Sequence, residues 1–518
     1  MSDSRNLLWR ASIAAAALVL IVGANAFGED TRAANRARSE AIPAHPRELE
    51  FAPIQFAPPD RAKHRHQIPG GPVVFVVEDS SVPLVDVDIH MRVGSYLDPQ
   101  GGEGLASMTA TLMRTGGTAS YSPDEFDEEA DFLAADISCS FQDYEGIASL
   151  NCLTKDFERA LDLFFEMVAR PRFDTDRLAI QKGRILQSLA RRNDSTGSIE
   201  SREWARLLYG KDHFSAEEPT RASIEGIGRE DLVEFHRQWI HPQNWVIAVS
   251  GDIKGDVIVA ALEERIRKAF PKEAPPLPNV PAPASDANRG VFIVDKADVN
   301  QGRVSVGHRA VTRDHPDYHA ILLMNHILGG GGFTSRITSR VRSDEGLAYT
   351  ARSAYEFGLF YPGEFRAYFQ SRSDAVARAL EIVLEEIERI RTVSPTREEV
   401  DDAIQHILGL LPTQFTTANQ VANTFASDEL FGRPADFWAT FEEKVRAITP
   451  ADVLRVAKEH LHPDRLLVLI VGHAEAILAG DPDRPEAKVE TLAKRITGDD
   501  RIERIPLPDP ETLVYPGE

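Results

Sequence analysis

The sequence predicts an α+β protein built as two tandem homologous domains, each a mainly antiparallel β-sheet with helices packed on one face. A positional repeat carries the duplication. Ile227, Asp231, His241, Pro242 and Gly251 recur as Ile448, Asp452, His462, Pro463 and Gly472, each pair 221 positions apart without a gap. Residues 271–290 divide the copies, because Pro271, Pro275, Pro276, Pro278, Pro281 and Pro283 make a semi-rigid, non-helical spacer. The sheet is visible where Val85, Val87, Ile89, Met91 and Val93 alternate with Asp86, Asp88, His90 and Arg92, the period of a strand with one solvated face.

Taken in order, the elements keep that plan. Phe75 to Asp79 resembles Phe292 to Lys296 at an offset of 217, Val82 falls on Val299, and Ala160-Leu161 matches Ala379-Leu380 at 219. A drift from 217 to 221 needs only a few inserted residues. Helical periodicity covers Gly104 to Met113, Phe157 to Ala169, Asp176 to Arg191 and Arg229 to Trp239. Each copy then closes with an amphipathic helix, a His-Pro break and an apolar strand, Trp245 to Val249 in one and Leu466 to Val471 in the other. Strands and helices mixed within each unit favour helices layered on one face of a sheet. The expected organisation is a leader at 1–26, a mobile segment at 27–50, a first domain at 51–270, the linker at 271–290, a second domain at 291–482 and a C-terminal tail at 483–518.

Bulk properties narrow the function. At 518 residues the chain exceeds one ordinary core. Its formal charge of −22 opposes binding to nucleic acid or an anionic membrane surface. Arg5 and Arg10, the apolar run Ala11 to Gly23 and then Ala24-Asn25-Ala26 have the layout of a secretory signal, cut after Ala26. The expected location is the periplasm, the alternative being an uncleaved inner-membrane anchor facing the same space. The two cysteines, Cys139 and Cys152, flank a turn at Asp143 to Gly146. A turn centred between residues 145 and 146 sets them opposite one another, so they form either a disulfide or a pair of buried thiols.

The stretch Gly104 to Met113 has the frame of a zinc-protease helix without its chemistry. Such a helix carries two His four residues apart on one face, with a Glu beside the second as general base. Here those positions hold Ser107, Ala110 and Thr111. Hydroxyls do not hold zinc as imidazoles do, and alanine takes no proton.

Gly-Leu-Ala before this helix, the apolar strand ending at Gly251-Asp252-Ile253 and the duplication together resemble the insulinase-like, or pitrilysin-type, zinc peptidases of family M16, over Phe51 to Ala479. That resemblance implies a third ligand, Glu, on another helix roughly 76 residues later. Counting 77 from Thr111 reaches Ser188. All three ligand positions and the base are absent together, so no metal or other cofactor is expected in this chain.

The second half supplies the other motif of the family. Gly329, Gly330, Gly331 and Gly332 are followed by Arg342 and, seven positions on, Tyr349. The resemblance implies that Arg342 and Tyr349 contact substrate near the scissile bond, Arg with fixed donors to a carbonyl and Tyr with a hydroxyl for oxygen that gains charge. It also implies that the glycines let a peptide backbone approach. Gly346 would end the preceding helix and release the strand bearing Tyr349. The run is no P-loop, since it lacks Gly-Lys-Ser/Thr.

Some bacterial members of the family are heterodimers, one chain with the zinc helix and one with the Arg/Tyr pair. The expectation is therefore a non-catalytic, substrate-binding subunit that completes the active site of a zinc-bearing homologue acting on peptides. The alternative is a peptide-binding or scaffold protein with no peptidase role. His64/His66, His460/His462 and His315/His319 lack ligand spacing with an acidic companion, and Glu385, Glu386 and Glu388 are expected on a solvated helix face.

Overall fold

Apolar runs become strands in two stretches of the chain, and each stretch closes a six-stranded sheet. The computed structural model describes residues 56–270, 275–284 and 286–517. The expected leader and mobile segment, 1–26 and 27–50, lie outside the described residues. The first sheet contains β1 (Arg65–Gln67), β2 (Val73–Glu78), β3 (Leu84–Met91), β4 (Asp136–Phe141), β5 (Gly146–Leu153) and β6 (Trp245–Gly251), ordered β1-β2-β6-β3-β5-β4. The second contains β7 (Gly290–Asp295), β8 (Gln301–Arg309), β9 (Ala348–Glu356), β10 (Glu364–Arg372), β11 (Leu467–Gly472) and β12 (Ile502–Ile505), ordered β12-β7-β11-β8-β10-β9. Five of the six places correspond, and each sheet has one parallel pair at the same place, β2 with β6 and β7 with β11. The outer place differs: β1 runs antiparallel to β2, whereas β12 arrives from the C-terminal segment and runs parallel to β7.

The helices that position the site are α1 (Leu105–Thr115), α2 (Phe157–Ala169), α3 (Thr175–Leu189), α4 (Thr196–Tyr209), α5 (Arg229–Trp239), α6 (Tyr318–Asn325), α7 (Val376–Thr392), α8 (Ala418–Leu430), α9 (Pro450–His460) and α10 (Val489–Thr497). The repeated sequence anchors are structural punctuation. Asp231 accepts from the Gly228 N–H at 2.7 Å, and Asp452 accepts from the Thr449 N–H at 2.9 Å, so both cap a helix start. His241-Pro242 and His462-Pro463 then break the chain between helix and strand, each through a single 3₁₀ turn.

Val85, Val87, Ile89 and Met91 of β3 join Leu105, Met108 and Leu112 of α1 and Leu161, Phe164 and Val168 of α2 in the first core. Truncating Leu112, fully buried there, costs about 2–5 kcal/mol by the usual cavity argument.

The polar face of β3 is not left to solvent. Helix α8, from the second half of the chain, packs across β2, β3 and β6. Its Asn419 and Asn423 donate to Asp88 at 3.1 and 2.8 Å, and the Asn423 oxygen lies 2.6 Å from His90 Nε2. Reciprocally α4, from the first half, packs on β8 and β11. Its buried Glu200 meets Arg366 at 2.9 Å, Arg303 at 3.4 Å and the Ser305 hydroxyl. The caps of α4 and α8, Ser195 and Thr417, stand 222 positions apart, within one residue of the offset that relates the His-Pro breaks. Each half thus lends one helix to the other's sheet. This exchange also explains why β6 and β11 are buried at every position and read as unbroken apolar runs.

Residues beyond 482 fold back: after α10 and β12, Glu511 pairs with Arg221 at 2.6 Å and the Tyr515 hydroxyl donates to Glu203 at 2.8 Å.

The disulfide alternative is corrected. Cys139 pairs in register with Ala148 and Cys152 with Val85, so the hairpin centres between residues 143 and 144 rather than 145 and 146. That places the thiols four residues apart along β5, about 13 Å at strand rise and beyond the reach of a disulfide. Both are free, and burial pushes each thiol up to about 12.

Candidate functional site

Helix α1 presents Ser107 and Thr111 on one stripe, as the zinc-protease frame requires, with Ser107 exposed and Ala110 buried between them. The Thr111 hydroxyl donates to the Ser107 carbonyl at 2.9 Å and the Thr115 hydroxyl to Thr111's at 2.8 Å, so these groups serve the helix itself. Ser188 is exposed near the end of α3, which packs against α1. Asp98, an acid lining the same pocket as Ser107, accepts from the N–H groups of Gly104 at 2.9 Å and Ala106 at 2.7 Å, capping the helix; burial raises it to about 6. Four positions offering two hydroxyls on α1, one on α3 and a methyl do not fit a zinc ion.

The second site begins where α6 loses its regularity. The helix runs into a π-turn at His326–Gly330, a 3₁₀ turn at Gly332–Thr334, a short helix at Arg336–Thr338 and a second π-turn at Ser339–Asp344. Arg342 therefore sits on a π-turn, a feature frequent at functional sites. Gly346, at φ 63°, ends it in the left-handed region, and β9 starts two residues later.

Tyr349 is re-aimed by a β-bulge: Gln370 pairs with Thr350 and Ser371 with Ala348, which leaves Tyr349 without a register partner. Its ring is 79 % exposed. The Arg342 guanidinium lies between that ring at 4.3 Å and the ring of Phe333 at 4.5 Å.

Ion pairs and hydrogen bonds tie down the segments on either side of Arg342. Arg336 is tied to Glu399 at 2.8 Å, Arg340 to Glu385 and Glu386 at 2.8 and 2.9 Å, and Glu345 to Arg378 at 2.5 Å. The Thr338 hydroxyl donates to the Ala351 carbonyl at 2.7 Å, and Asn325 exchanges hydrogen bonds with Ser353. Arg342 alone among these arginines makes no ion pair with a described residue. Its donors face a pocket of about 180 Å³ shared with Gly329, Gly330, Gly332, Phe333, Tyr349 and Arg352.

The glycine run divides by role. A Cβ on Gly329 would stand 2.4 Å from the Ser353 nitrogen, one on Gly330 2.9 Å from Asn325 Nδ2, and one on Gly331 2.8 Å from His326. Those three let the segment pack on β9 and on itself. Only Gly332, at φ 68°, has open space before it.

Sequence reasoning missed Phe333 and Arg352. An aromatic directly after four glycines was the available signal for Phe333, whereas Arg352 needed the sheet. It also missed that His315, Asp317 and His460 converge, their ligand atoms within 4.8 Å. Both Asp317 oxygens are taken by Arg455, at 2.6 and 3.0 Å, and the Asp317 N–H donates to His315 Nδ1 at 3.1 Å. This is an ion-paired clasp between α6 and α9. A larger pocket of about 730 Å³, lined by Glu78, Asp156, Lys254 and Val257 among others, shares no residue with the Arg342 site.

Comparison with known proteins agrees with this geometry. Residues 73–203 match the family model described as insulinase (peptidase family M16), and residues 226–407 match the peptidase M16 inactive domain. The chain is 23 % identical to the non-peptidase homologue YmxG of Helicobacter pylori over 409 residues, 78 % of this chain and 92 % of that one. It is 22 % identical to an uncharacterised zinc protease of Streptomyces coelicolor over 404 residues, 77 % and 87 % of the two chains. Among solved structures, an M16 inactive-domain protein from Pseudomonas fluorescens superposes with TM-score 0.72 at 26 % identity, covering 79 % of this chain and 97 % of that one. The periplasmic protease PqqL of Escherichia coli gives 0.66 at 14 %, covering 83 % of this chain and 48 % of PqqL, a likeness of fold. With its duplicated α+β halves and matches that together take in more than half of its length, the chain belongs to the M16 peptidase family.

Proposed function

We propose that the chain is the non-catalytic, substrate-binding subunit of a periplasmic heterodimeric M16 zinc metallopeptidase. The observation that carries this reading is the contrast within one molecule: Arg342 stands between two rings with no ion-pair partner among the described residues, while the four metal-site positions carry no imidazole or carboxylate. Zinc, held by a homologous partner, would supply Lewis-acid chemistry toward the peptide carbonyl. This chain's part is geometric. Arg342 presents fixed N–H donors that fix the carbonyl's position, and its clamping between two rings reduces the freedom lost when substrate binds. The Tyr349 hydroxyl, on an exposed bulge, donates to oxygen as negative charge develops there.

An added peptide strand would not run along β9, because the Ala351 and Ser353 carbonyls on that edge already accept from Thr338 and Asn325. The chain therefore meets substrate with side chains, and the strand ladder comes from elsewhere in the complex. The periplasmic part of the reading rests on the signal-like residues 1–26 and on the described location of PqqL. No helix among the described residues is long and apolar enough to cross a membrane.

The test is reconstitution. The purified chain should cleave no peptide, a mixture with a homologue bearing His-x-x-Glu-His should, and Arg342→Ala or Tyr349→Phe should lower kcat of the mixture without dissociating it. Peptide turnover by the chain alone, or full activity with Arg342→Ala, would overturn the reading.

A further inference from the structure

We infer that the pocket beside Arg342 selects peptides carrying an acidic side chain near the bond addressed by Arg342 and Tyr349, with Arg352 as the specificity-determining residue. This rests on reading the site as a peptide-contacting one and goes further by naming the substrate class.

In a chain of formal charge −22, arginines have carboxylates in plentiful supply. On the polar face of the second sheet, Arg303 and Arg366 are bound by Glu200, at 3.4 and 2.9 Å. Around the glycine segment Arg336, Arg340, Arg378 and Arg484 are bound by Glu399, Glu385, Glu386 and Glu345. Arginines elsewhere also lack an ion pair with a described residue, Arg309 and Arg313 donating instead to the Leu208 and Phe431 carbonyls, but Arg342 and Arg352 are the two that line the pocket, and neither has an ion pair or a hydrogen-bond acceptor among the described residues. Among the described residues no Asp or Glu lines that pocket. Its walls are otherwise glycine, alanine, threonine and two aromatic rings.

The geometry gives the two arginines different tasks. Arg342 is fixed between Phe333 and Tyr349 and addresses the backbone. Arg352 is exposed on β9 opposite Tyr368, with its guanidinium 5.8 Å from that ring, and is free to reach a ligand. A volume of about 180 Å³ suits one Asp or Glu side chain. A planar guanidinium matches a carboxylate with two parallel N–H donors. Lysine in the same place would meet two like charges.

The experiment uses the full chain and fluorescein-labelled peptides that differ only in Glu, Gln or Lys at one position, scanned along the peptide and read by fluorescence anisotropy. At one position Glu should bind about tenfold tighter than Gln and Lys weakest, the preference shrinking as salt rises. Arg352→Gln should bring the Glu-to-Gln ratio to about one, and Arg352→Glu should make Lys the preferred residue. Equal binding of the three peptides, no binding of any, or a preference that survives Arg352→Gln would overturn the inference. Because the readout needs no partner, charge selection with no hydrolysis in any reconstituted mixture would sustain the specificity and sink the subunit reading. Hydrolysis without charge selection would do the reverse.

Discussion

Helix α1 and the α6-to-β9 segment occupy corresponding places, each between the fourth strand of its sheet order and the edge strand, yet they have diverged in opposite directions. In the first half the helix is regular, its threonine hydroxyls bond to its own carbonyls, and Asp98 serves as a cap. In the second half the helix is broken by two π-turns, glycines press against a strand, a bulge throws Tyr349 outward and the Arg342 guanidinium has no ion pair among the described residues. Local regularity was kept where chemistry is missing and given up where donors are displayed. Departures from regular geometry cost stability, and they persist where the surroundings over-determine them, here through the Arg336, Arg340 and Glu345 ion pairs.

The largest effect expected from this contrast is on turnover. In a reconstituted complex Arg342→Ala should reduce kcat by about 10²–10³, the scale for a lost transition-state donor, whereas Ser107→Ala should leave it within about twofold. Equal effects at the two sites would break the comparison.

Next comes packing. Gly329→Ala forces a methyl onto the Ser353 backbone and should cost about 1–3 kcal/mol in chemical denaturation, more than Gly332→Ala, where only the left-handed φ is disturbed at about 1 kcal/mol. The reverse order would mean that the run is conformational rather than close-packed.

The seam between the halves should respond to pH. Burial alone would push the His90 imidazole down, but hydrogen bonds to Glu145 and Asn423, aided by the charges of Glu145 and Asp88, turn the net shift upward. The Asn423 amide nitrogen is engaged by Asp88, so its oxygen faces His90 and both ring nitrogens donate. A raised folded pKa stabilises the fold fully below the unfolded value of about 6.5, and that contribution is lost as pH rises through the folded pKa. Burial lowers other imidazoles, His236 and His308 to about 4, and these act in the opposite sense, so the His90 contribution is read as a difference: the Tm advantage of the wild type over His90→Gln should be largest below about pH 6.5 and shrink as pH rises through the folded pKa.

The smallest effect concerns the cysteines. Reductant should move Tm by less than about 1 °C, and both thiols should react with a thiol reagent only on unfolding, since burial holds them up at about 12.

Much of the candidate site was legible because it is written in short-range terms: Arg342, Gly346 and Tyr349 follow one another within eight residues, and the helix-to-strand passage at Gly346 falls where glycine allows it. Phe333 and Arg352 were not legible, because an exposed aromatic and a strand arginine acquire meaning only from what stands beside them. The hairpin holding Cys139 and Cys152 was legible in kind but off in register by two residues, since its centre is set by how β5 pairs with β3 as well as β4.

By itself the sequence determined the duplication, the strand and helix alternation, the His-Pro breaks and the residue types at Ser107, Ala110, Thr111 and Ser188, all properties of residue type and spacing along the chain. Tertiary structure alone decided that α4 and α8 cross to the opposite sheet, that the polar face of β3 is buried against asparagines, and which arginines remain unpaired. The reason is physical: periodicity shows that a face wants cover or can hydrogen-bond, while the identity of the covering group depends on contacts more than 300 residues apart, as between Asp88 and Asn423. Charge pairing is settled only once every competing carboxylate has its place.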